Sequence, residues 1–371
     1  MRQHRELVVE DDTEGFSAFL VVDASDQEFS FGGTRVDAGV TRDMVAELAD
    51  NMSLKLAGHG SPLGGAKAGV RAKPGDPALT GYLRRFAEEC RDVLSSTTIL
   101  GKDMGAKQWM LDEIYDALRS PQLGVARARF RGAELPHRLC DLNGYVNHMT
   151  GKGVFWSIEE ALGGALAGAR VLIQGFGVVG CGVAWHLDRA GAKIVGVSDA
   201  EKAILCPQGL DFEVLSTAKG DDGLVASERL PDTWLPCARD DLLAEQADVL
   251  VLAAGSYLVD GEIASRLSTP LVIEAANLAL TPEAADGLHS RGVRVVPDVV
   301  ANSSSAALVA HQIAAGNQRD PAQLWEEIES NIKRNTEVVL RMSRELDITS
   351  KAAFRHVLPV PSGSEGDVRA D

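Results

Sequence analysis

The 371-residue sequence lacks the features that mark several large classes of protein. No stretch approaches the roughly 18 apolar residues that a membrane-spanning helix needs, and the polar amino terminus, MRQHRELVVEDD, has no apolar secretory core. We therefore expect a cytoplasmic protein. The five cysteines are odd in number, widely spaced and without a CxxC pair, so we predict neither a disulfide framework nor a zinc knuckle, and no metal site.

Basic residues are also in deficit, with 37 Lys and Arg against 53 Asp and Glu, which gives a net charge of −16. An acidic surface disfavours nucleic acid and anionic membranes as partners and mainly supports solubility. The length exceeds what one core usually organises, so we expect two domains joined by a cleft. That arrangement suits small-molecule chemistry.

The first part of the chain combines strand and helix patterns with glycine-rich segments. Residues 15–23 are apolar and β-branched, which predicts a strand, and a glycine turn is predicted at 31–37. A helix is predicted over 41–58, opened by Thr41, and a second glycine-rich loop over 61–70. Further helices are expected at about 78–95 and 107–118.

From residue 151 onward helices and strands alternate, which predicts a parallel sheet covered by helices. The domains expected are a first domain over 1–140, a dinucleotide-binding domain over 141–320, C-terminal helices over 321–357 that pack back on the first domain, and a disordered tail over 358–371. Predicted helices lie at 153–166, 178–191 and 321–346, and predicted strands lie at 169–177, 192–199, 247–254, 270–277 and 293–301.

The segment QGFGVVG, from Gln174 to Gly180, has the GxGxxG spacing of a dinucleotide-binding turn and joins a predicted strand to a predicted helix. Gly175 permits the tight turn, Gly177 lets the backbone approach a pyrophosphate, and Gly180 lets the helix pack close to the sheet. Free N–H groups at the helix terminus favour phosphate. The rest of the expected cofactor turn is Phe176, Val178 and Val179.

Asp199 ends the next predicted strand, 19 residues after Gly180. A carboxylate at this position accepts hydrogen bonds from both ribose hydroxyls and repels a 2′-phosphate, so NAD is favoured over NADP as the cofactor. The alternative interpretation is a glycine turn followed by a surface aspartate.

Two lysines lie in glycine-rich, apolar surroundings, where a charge is costly to bury unless it is paired or used. Lys67 stands in LGGAKAG, whose glycines offer little surface along which its side chain could lie. Taken alone, Lys55 is equally well explained as a solvated residue of the helix. Asp103, in ILGKDMG, could be the N-cap of the helix that follows.

Several motifs together resemble the glutamate/leucine/phenylalanine/valine dehydrogenase family, in order over roughly residues 15–345. They are GGTR at 32–35, MSLKLAGHGSPLGGAKAGV at 52–70, KDMG at 102–105, TGKGV at 150–154, IQGFGVVG at 173–180, SDA at 198–200, EAAN at 274–277 and VVPDVVAN at 295–302. The resemblance implies an α/β fold of two domains, an N-terminal α/β substrate and oligomerisation domain and a Rossmann-like, doubly wound dinucleotide-binding domain. It also implies a homo-oligomer, a dimer or a larger assembly of dimers formed through the first domain.

The activity implied by the resemblance is reversible, NAD-dependent deamination of an L-amino acid to a 2-oxo acid and ammonia. Lys55 would bind the substrate α-carboxylate, and Asp103 would carry protons to and from the amine and water. Lys67 would be the catalytic lysine, with a pKa lowered by burial and neighbouring positive charge, polarising the water and the carbinolamine oxygen.

For the cofactor, the resemblance implies that Thr150 hydrogen-bonds the nicotinamide carboxamide. Asn277 would orient the nicotinamide ribose region and the substrate, and Ala253 and Ala254 would line the cofactor groove.

The substrate side chain is expected to be apolar. Family members that act on glutamate resemble one another in having a lysine before the GGxR turn and a serine on the helix after the NAGG motif, where this chain has Phe31 and Val309. A γ-carboxylate would there meet an apolar wall, at a cost of several kcal/mol. Gly101 and Ala306 are smaller than the alanine and valine of leucine-type members, which favours a bulky or aromatic side chain. The substrate-binding residues expected are thus Lys55, Phe31, Gly32, Gly33, Gly101, Ala306 and Val309.

One segment departs from the family pattern, because NAGG is replaced by Asn302-Ser303-Ser304-Ser305. The serine hydroxyls could bind a polar substrate group or cap the following helix, and the cap is the favoured interpretation.

Three other functions stay open at this point: glutamate dehydrogenase, a family member that binds NAD without turnover, and a hydroxy-acid dehydrogenase. The last would need a histidine–acid pair near the cofactor, and His148, His289 and His311 show no strand-end position with an obvious acidic partner. Retention of Lys55, Lys67 and Asp103 argues against a protein without turnover.

Overall fold

The computed structural model describes residues 4–11, 16–23, 27, 29–119, 149–220, 223–315 and 320–358. The chain forms two compact units. Unit 1 comprises Met1–Leu135, Ala306–Asp320 and Leu358–Asp371, and unit 2 comprises Pro136–Ser305 and Pro321–Val357. The domain boundary expected near residue 140 and the tail beyond residue 358 lie outside the described residues. No helix in the described part of the chain has the length and hydropathy needed to cross a membrane.

The elements of unit 1 before residue 120 are β1 (His4–Asp11), β2 (Phe16–Asp23), β3 (Ser30–Val36), α1 (Arg42–Gly58), β4 (Gly64–Val70), α2 (Leu79–Glu89), α3 (Arg91–Ser96), β5 (Thr98–Lys102) and α4 (Gln108–Leu118). The strands form a five-stranded sheet in the order β1-β2-β4-β3-β5. Strand β3 is parallel to both β4 and β5, whereas β2 is antiparallel to β1 and β4. The helices predicted at 41–58 and 107–118 are confirmed, and the one predicted at about 78–95 is two helices.

The two segments expected to be glycine-rich loops, FGGTRVD and SPLGGAKAGV, supply strands β3 and β4 instead. A Cβ atom on Gly32 would lie 1.6 Å from the carbonyl oxygen of Ala66. One on Gly65 would lie 2.3 Å from the backbone nitrogen of Ser53 on α1. Glycine is therefore needed here because a neighbouring backbone approaches closely, and not because the chain turns.

Helix α1 begins where the sequence predicts. The hydroxyl of Thr41 accepts a hydrogen bond from the backbone N–H of Met44 at 3.2 Å, which caps the helix. Its buried face, including Val45, Leu48 and Ala49, packs on β2 and β4. This packing places the last turn of α1, with Lys55, beside the sheet.

The elements from residue 149 onward are α5 (Met149–Ala161), β6 (Arg170–Gln174), α6 (Val178–Arg189), β7 (Lys193–Ser198), β8 (Ala203–Leu205), α7 (Phe212–Ala218), β9 (Leu235–Cys237), α8 (Arg239–Ala244), β10 (Val249–Leu252), α9 (Gly261–Arg266), β11 (Leu271–Glu274), α10 (Pro282–Ser290), β12 (Arg294–Val296), α11 (Asp298–Ala301), α12 (Ser304–Ala315), α13 (Pro321–Leu346) and α14 (Ser350–Val357). Unit 2 contains a seven-stranded sheet in the order β12-β11-β10-β6-β7-β8-β9. Strands β12, β11, β10, β6 and β7 are parallel, and β8 and β9 are antiparallel additions at one edge. The strand order reverses at β6, and ligands of such sheets bind at the carboxyl ends of the strands at this point.

The two C-terminal helices, α13 and α14, group with unit 2, whereas the sequence predicts that they pack back on the first domain. The amphipathic face of α13 is covered by α5: the rings of Trp325 and Trp156 lie 5.1 Å apart, and Thr336 donates a hydrogen bond to Ser157 at 3.3 Å. Conversely, Ala306–Asp320, expected in the second domain, groups with unit 1. Helix α12 therefore begins in one unit and continues into the other.

Candidate active site

Lys67 lies on the face of β4 that packs against α1. Side chains alternate along a strand, so Lys67 shares its face with Gly65 and Gly69. A Cβ atom on Gly69 would lie 2.5 Å from the side chain of Val45 on α1, as one on Gly65 would collide with Ser53. The lysine is thus held between sheet and helix, and it is only 5% exposed.

Lys67 reaches Asp103 because Gly33, which lies between them, has no side chain. The strand register places Gly33 directly between Lys67 on β4 and Gly101 on β5. A Cβ atom on Gly33 would lie 3.3 Å from the Nζ atom of Lys67 and 2.9 Å from the Cβ atom of Asp103. Because position 33 has no side chain, the ammonium group of Lys67 extends over β3. It reaches the carboxylate of Asp103, the residue that follows β5.

Three charged side chains meet at that point. The Nζ atom of Lys67 lies 3.0 Å from Oδ2 of Asp103, and the Nε atom of Arg35 donates to the same oxygen at 2.9 Å. Burial alone would raise the pKa of Asp103, but the charges and hydrogen bonds of Lys67 and Arg35 outweigh it and hold that pKa well below its ordinary value. Asp103 is therefore ionised. It is not the N-cap of α4, since Lys107 occupies that position.

Arg35 was not among the residues predicted for the site. It is the last residue of the GGTR motif, and its side chain is 2% exposed. An arginine in a glycine-rich segment was the available signal, but its partner Asp103 lies 68 positions away in the sequence. Lys55, in the last turn of α1, is 7% exposed, so the interpretation of Lys55 as a solvated helix residue is wrong.

Three of the predicted substrate-side positions, Phe31, Ala306 and Val309, belong to one apolar cluster of unit 1. Phe31 is buried there, and Ala306 and Val309 pack against it from α12. The cluster also contains Met52, Leu56, Leu63, Ile99, Ala310, Ile313 and Phe29. A Cβ atom on Gly101 would lie 3.5 Å from the ring of Phe31, so the space left by the small residue at 101 adjoins that ring.

The histidines considered for a hydroxy-acid dehydrogenase lie in different settings. His289 pairs with Asp347 at 3.2 Å, but this aspartate is 99% exposed, so the pair is a surface contact. His311 is buried, and its Nε2 atom lies 3.2 Å from the carbonyl oxygen of His59. His148 lies outside the described residues.

In unit 2 the glycine turn lies at the carboxyl end of β6. Gly175 has a φ of +94°, and a Cβ atom there would lie 2.6 Å from the Cα atom of Ala254. A Cβ atom on Gly180 would lie 1.9 Å from the carbonyl oxygen of Gly175, so the helix packs directly on the turn. By contrast, a Cβ atom on Gly177 would meet nothing within 4 Å. Open space therefore lies before the amino terminus of α6, as a phosphate requires.

The side chains of the same turn face in different directions. Val178 is 66% exposed at the first position of α6, whereas Phe176 is 1% exposed and belongs to the core. Val179 is intermediate. Only the backbone of residue 176 can therefore face a ligand.

The carboxylate of Asp199 supports its own loop. Its Oδ1 atom accepts hydrogen bonds from the backbone N–H groups of Glu201 and Lys202 at 2.8 and 2.9 Å, and Oδ2 accepts from Val225 at 2.9 Å. Partial burial opposes ionisation, but these backbone hydrogen bonds outweigh it and the pKa of Asp199 lies below its ordinary value. A fixed negative charge thus stands after β7.

Asn277 follows β11 and is held from two sides. The Nδ2 atom of Asn302 donates to Oδ1 of Asn277 at 3.1 Å and to the carbonyl oxygen of Ala275 at 3.0 Å. The hydroxyl of Ser256, in the loop after β10, donates to the carbonyl oxygen of Asn277 at 2.7 Å. The family motif indicates Asn277, whereas no local pattern in the sequence indicates these two supporting residues.

Two buried carboxylates hold the remainder of this loop. Asp298 accepts a hydrogen bond from the backbone N–H of Leu278 at 2.9 Å, and Glu274 accepts one from Leu280 at 3.1 Å. Burial, together with the nearby charge of Asp298, raises the pKa of Glu274 to about 8. The Nζ atom of Lys351 on α14 lies 3.8 Å from Asp298. The pair therefore keeps one proton at neutral pH.

Thr150 lies in the first turn of α5, directly after Met149, whose carbonyl oxygen Ser304 contacts. The hydroxyl of Ser304 donates to the carbonyl oxygen of Met149 at 2.6 Å, and that of Ser303 donates to Val300 at 2.7 Å. For Ser304 this is neither of the arrangements expected from sequence, since its hydroxyl links α12 to α5.

Family models match both units. The model described as Glutamate/Leucine/Phenylalanine/Valine dehydrogenase matches residues 145–358, more than half of the chain. The model described as Glu/Leu/Phe/Val dehydrogenase, dimerisation domain, matches residues 3–120. The chain belongs to the glutamate/leucine/phenylalanine/valine dehydrogenase family. It is therefore an amino-acid dehydrogenase, an oxidoreductase of two α/β domains with a Rossmann-like sheet.

Relatives of this amino-acid dehydrogenase cover most of its length. NADP-specific glutamate dehydrogenase A1 of Halobacterium salinarum is 32% identical over 313 residues, which are 82% of this chain and 74% of the relative. Glutamate dehydrogenase A2 of the same organism is 33% identical over 286 residues, 73% of this chain and 66% of the relative. The crystal structure of hetero-hexameric glutamate dehydrogenase from Thermus thermophilus, in a leucine-bound form, has a TM-score of 0.73 and 28% identity, covering 95% of this chain and 86% of that one.

Proposed function

We propose that this amino-acid dehydrogenase catalyses the reversible, NAD-dependent oxidative deamination of an L-amino acid with an apolar, bulky or aromatic side chain. The amino acid, NAD⁺ and water give the 2-oxo acid, ammonium, NADH and a proton. The observation that carries the proposal is the buried ion pair between Lys67 and Asp103, 3.0 Å apart across Gly33. An ammonium and an ionised acid held together are what amine release by water requires.

The residues of unit 1 divide the work on the substrate. Lys55 binds the α-carboxylate, and the ammonium of Lys67 polarises the water and the oxygen of the carbinolamine. Asp103, ionised at any working pH, takes the proton from the attacking water and returns one to the leaving amine. Arg35 does not touch the substrate in this scheme but fixes the carboxylate of Asp103. Bound NAD supplies the hydride acceptor.

The residues of unit 2 fit a dinucleotide. Gly177 leaves open space before the amino terminus of α6 for a pyrophosphate. Ala253 and Ala254 follow β10 beside Gly175, while Thr150 and Asn277 are assigned to the nicotinamide end. All of these belong to unit 2.

NAD is preferred in this proposal because the fixed carboxylate of Asp199 repels a 2′-phosphate. One relative is named as NADP-specific, so the preference of this chain between NAD and NADP has to be measured. Kinetics with NAD and NADP on the wild type and on Asp199→Ala would measure it. We expect the wild type to prefer NAD and the variant to lose part of that preference, because the charge is removed. A wild type that prefers NADP would contradict the assignment.

The apolar substrate class rests on Phe31, which is buried in the cluster that Ala306 and Val309 pack against and brings no charge for a γ-carboxylate. Glutamate is the second candidate, because the two curated relatives are named glutamate dehydrogenases. The values of kcat/KM for phenylalanine, leucine, valine and glutamate decide between them. A clear preference for glutamate would overturn the apolar class.

Lys67→Ala is the control for that substrate panel. Losing the catalytic ammonium should lower the turnover of every amino acid tested by about 100- to 10,000-fold. Turnover close to that of the wild type in this variant would contradict the role of Lys67. A wild type that binds the dinucleotide but turns over no amino acid would instead identify a family member without catalytic activity.

We also propose that the protein is a homo-oligomer formed through unit 1, since residues 3–120 match the family's dimerisation domain. Light scattering on the purified chain should give a mass of at least two copies.

A further inference from the structure

Ser304 makes a hydrogen bond that joins two distant segments of unit 2. It is fully buried, and its hydroxyl donates to the carbonyl oxygen of Met149, 155 positions earlier in the sequence, at 2.6 Å. Met149 is the first residue of α5, and Thr150 is the second. The bond therefore fixes the turn from which Thr150 projects.

The space around Ser304 is matched to its side chain. A Cβ atom on Gly153, one turn further along α5, would lie 2.4 Å from the hydroxyl oxygen of Ser304 and 2.8 Å from its Cβ atom. Ile332 of α13 closes the same space, because its Cδ1 atom would lie 3.2 Å from that added Cβ. The serine thus fills a position that exists only because residue 153 is glycine.

The hydrogen bond adds to the helix without disrupting it. A backbone carbonyl has two lone pairs, so Met149 can accept both from its partner within α5 and from Ser304. Residues in the first turn of a helix are otherwise held by few contacts and open readily. A second donor on the first carbonyl of α5 restrains that turn.

We propose that Ser304 is a positioning residue that holds Thr150 in place for the nicotinamide end of the dinucleotide, an inference that rests on the proposed function. Glycine, which the family pattern has in this turn, offers no hydroxyl for the bond. Ser304 acts through Thr150 and does not touch the cofactor. Ser303 differs, because its hydroxyl donates to Val300, within its own turn of chain.

The test is Ser304→Ala, which keeps the Cβ atom and removes the hydroxyl. Binding of NADH and of ADP-ribose, which lacks the nicotinamide, is measured by titration calorimetry on the full chain. We expect the Kd for NADH to rise about three- to tenfold, as the loss of one hydrogen bond allows, with the Kd for ADP-ribose unchanged. The KM for NAD should rise in parallel.

Ser216→Ala is the matched control. Ser216 is also buried in unit 2 and donates to a backbone carbonyl, that of Glu213, but this contact lies within α7. Neither ligand should bind more weakly to this variant. Ser304→Cys, which keeps the shape of the serine side chain with a larger atom and a weaker donor, should fall between the wild type and Ser304→Ala, and it carries the test if the alanine variant does not fold.

Two results would overturn the inference. One is a Ser304→Ala variant that binds NADH as the wild type does, and the other is an equal loss of NADH and ADP-ribose binding, which would indicate a general effect on the fold of unit 2. A wild type that binds neither NADH nor NADPH would instead contradict the proposed function.

Discussion

The two units stabilise buried charge in opposite ways. In unit 1, Asp103 contacts two cations, Lys67 and Arg35, each within 3.0 Å of its Oδ2 atom. In unit 2, Glu274 and Asp298 are two acids of like charge, each accepting a backbone N–H, with Lys351 3.8 Å from Asp298. The pKa of Asp103 lies well below its ordinary value, so this acid is ionised, whereas Glu274 has a pKa raised to about 8 and keeps its proton at neutral pH.

This difference matches what each cluster is asked to do. Chemistry on an amine needs groups of opposite charge close to the reacting atoms. The loop that carries Asn277 needs acceptors for its backbone N–H groups, and neutral or half-ionised acids provide these. Removing the acid from the first cluster should therefore lower stability and activity, whereas removing one acid from the second should remove the repulsion between two carboxylates.

Asp103→Asn should have the largest effect. It leaves the cations Lys67 and Arg35 buried without their shared partner, so we expect a loss of about 3 kcal/mol of stability. It also removes the proton acceptor, so kcat/KM should fall about 100- to 10,000-fold. Denaturant unfolding and steady-state kinetics measure the two effects. Asp92→Asn, at an exposed position on α3, should change neither. A stable Asp103→Asn protein would mean that the two cations do not depend on this carboxylate.

Gly33→Ala should have a smaller effect on the same cluster. Its new Cβ atom would lie 2.9 Å from that of Asp103 and 3.3 Å from the Nζ atom of Lys67, so the two side chains must separate. A displacement of about 1 Å between catalytic groups costs on the order of 100-fold, and we expect a decrease in kcat/KM of about 10- to 100-fold.

Gly81→Ala is the control for this substitution. Gly81 lies on α2, and a Cβ atom there would meet nothing within 4 Å, so activity should be retained and the helix slightly stabilised. Full activity of Gly33→Ala would show that the passage between the strands is wider than these distances imply.

The secondary structure of unit 2 is easier to predict from the sequence than that of unit 1, for a physical reason. In unit 2 the strands are apolar runs separated by amphipathic helices, so local periodicity indicates both the elements and the turn at Gly175. In unit 1, β3 and β4 are rich in glycine. A local pattern does not distinguish a glycine needed for a positive φ, such as Gly175, from one needed for a close backbone, such as Gly32.

The candidate site shows the same limit. Lys67 was predictable because a lysine among glycines is costly unless it has a partner. The contacts of Arg35 and Ser304 were not, because their partners Asp103 and Met149 lie 68 and 155 positions away. The packing of α13 on α5 was also missed, since an amphipathic helix shows which face is buried but not which surface covers it.

Glu274→Gln sharpens the comparison with the smallest expected effect on activity. Its raised pKa means that the folded protein keeps a proton that the unfolded chain, with a pKa near 4.5, has lost. The free energy of unfolding has its full value below the pKa of the unfolded chain, near 4.5. It falls as the pH rises from there towards about 8, by up to roughly 1.4 kcal/mol per pH unit. Glutamine is permanently neutral and can still accept from Leu280, so this loss should be absent in the variant.

Melting temperatures measured from pH 5 to 9 test that expectation. Wild type and Glu274→Gln should unfold at similar temperatures at pH 5, and the variant should be the more stable at pH 9, because it no longer opposes Asp298 with a second negative charge. The charges that face residue 274 are those of Asp298 on α11 and Lys351 on α14. Glu283→Gln, at an exposed position on α10, should follow the wild type at every pH. Parallel curves of melting temperature against pH for wild type and Glu274→Gln would mean that Glu274 and Asp298 do not share a proton. The two units would then differ only in the cations that surround Asp103 in unit 1.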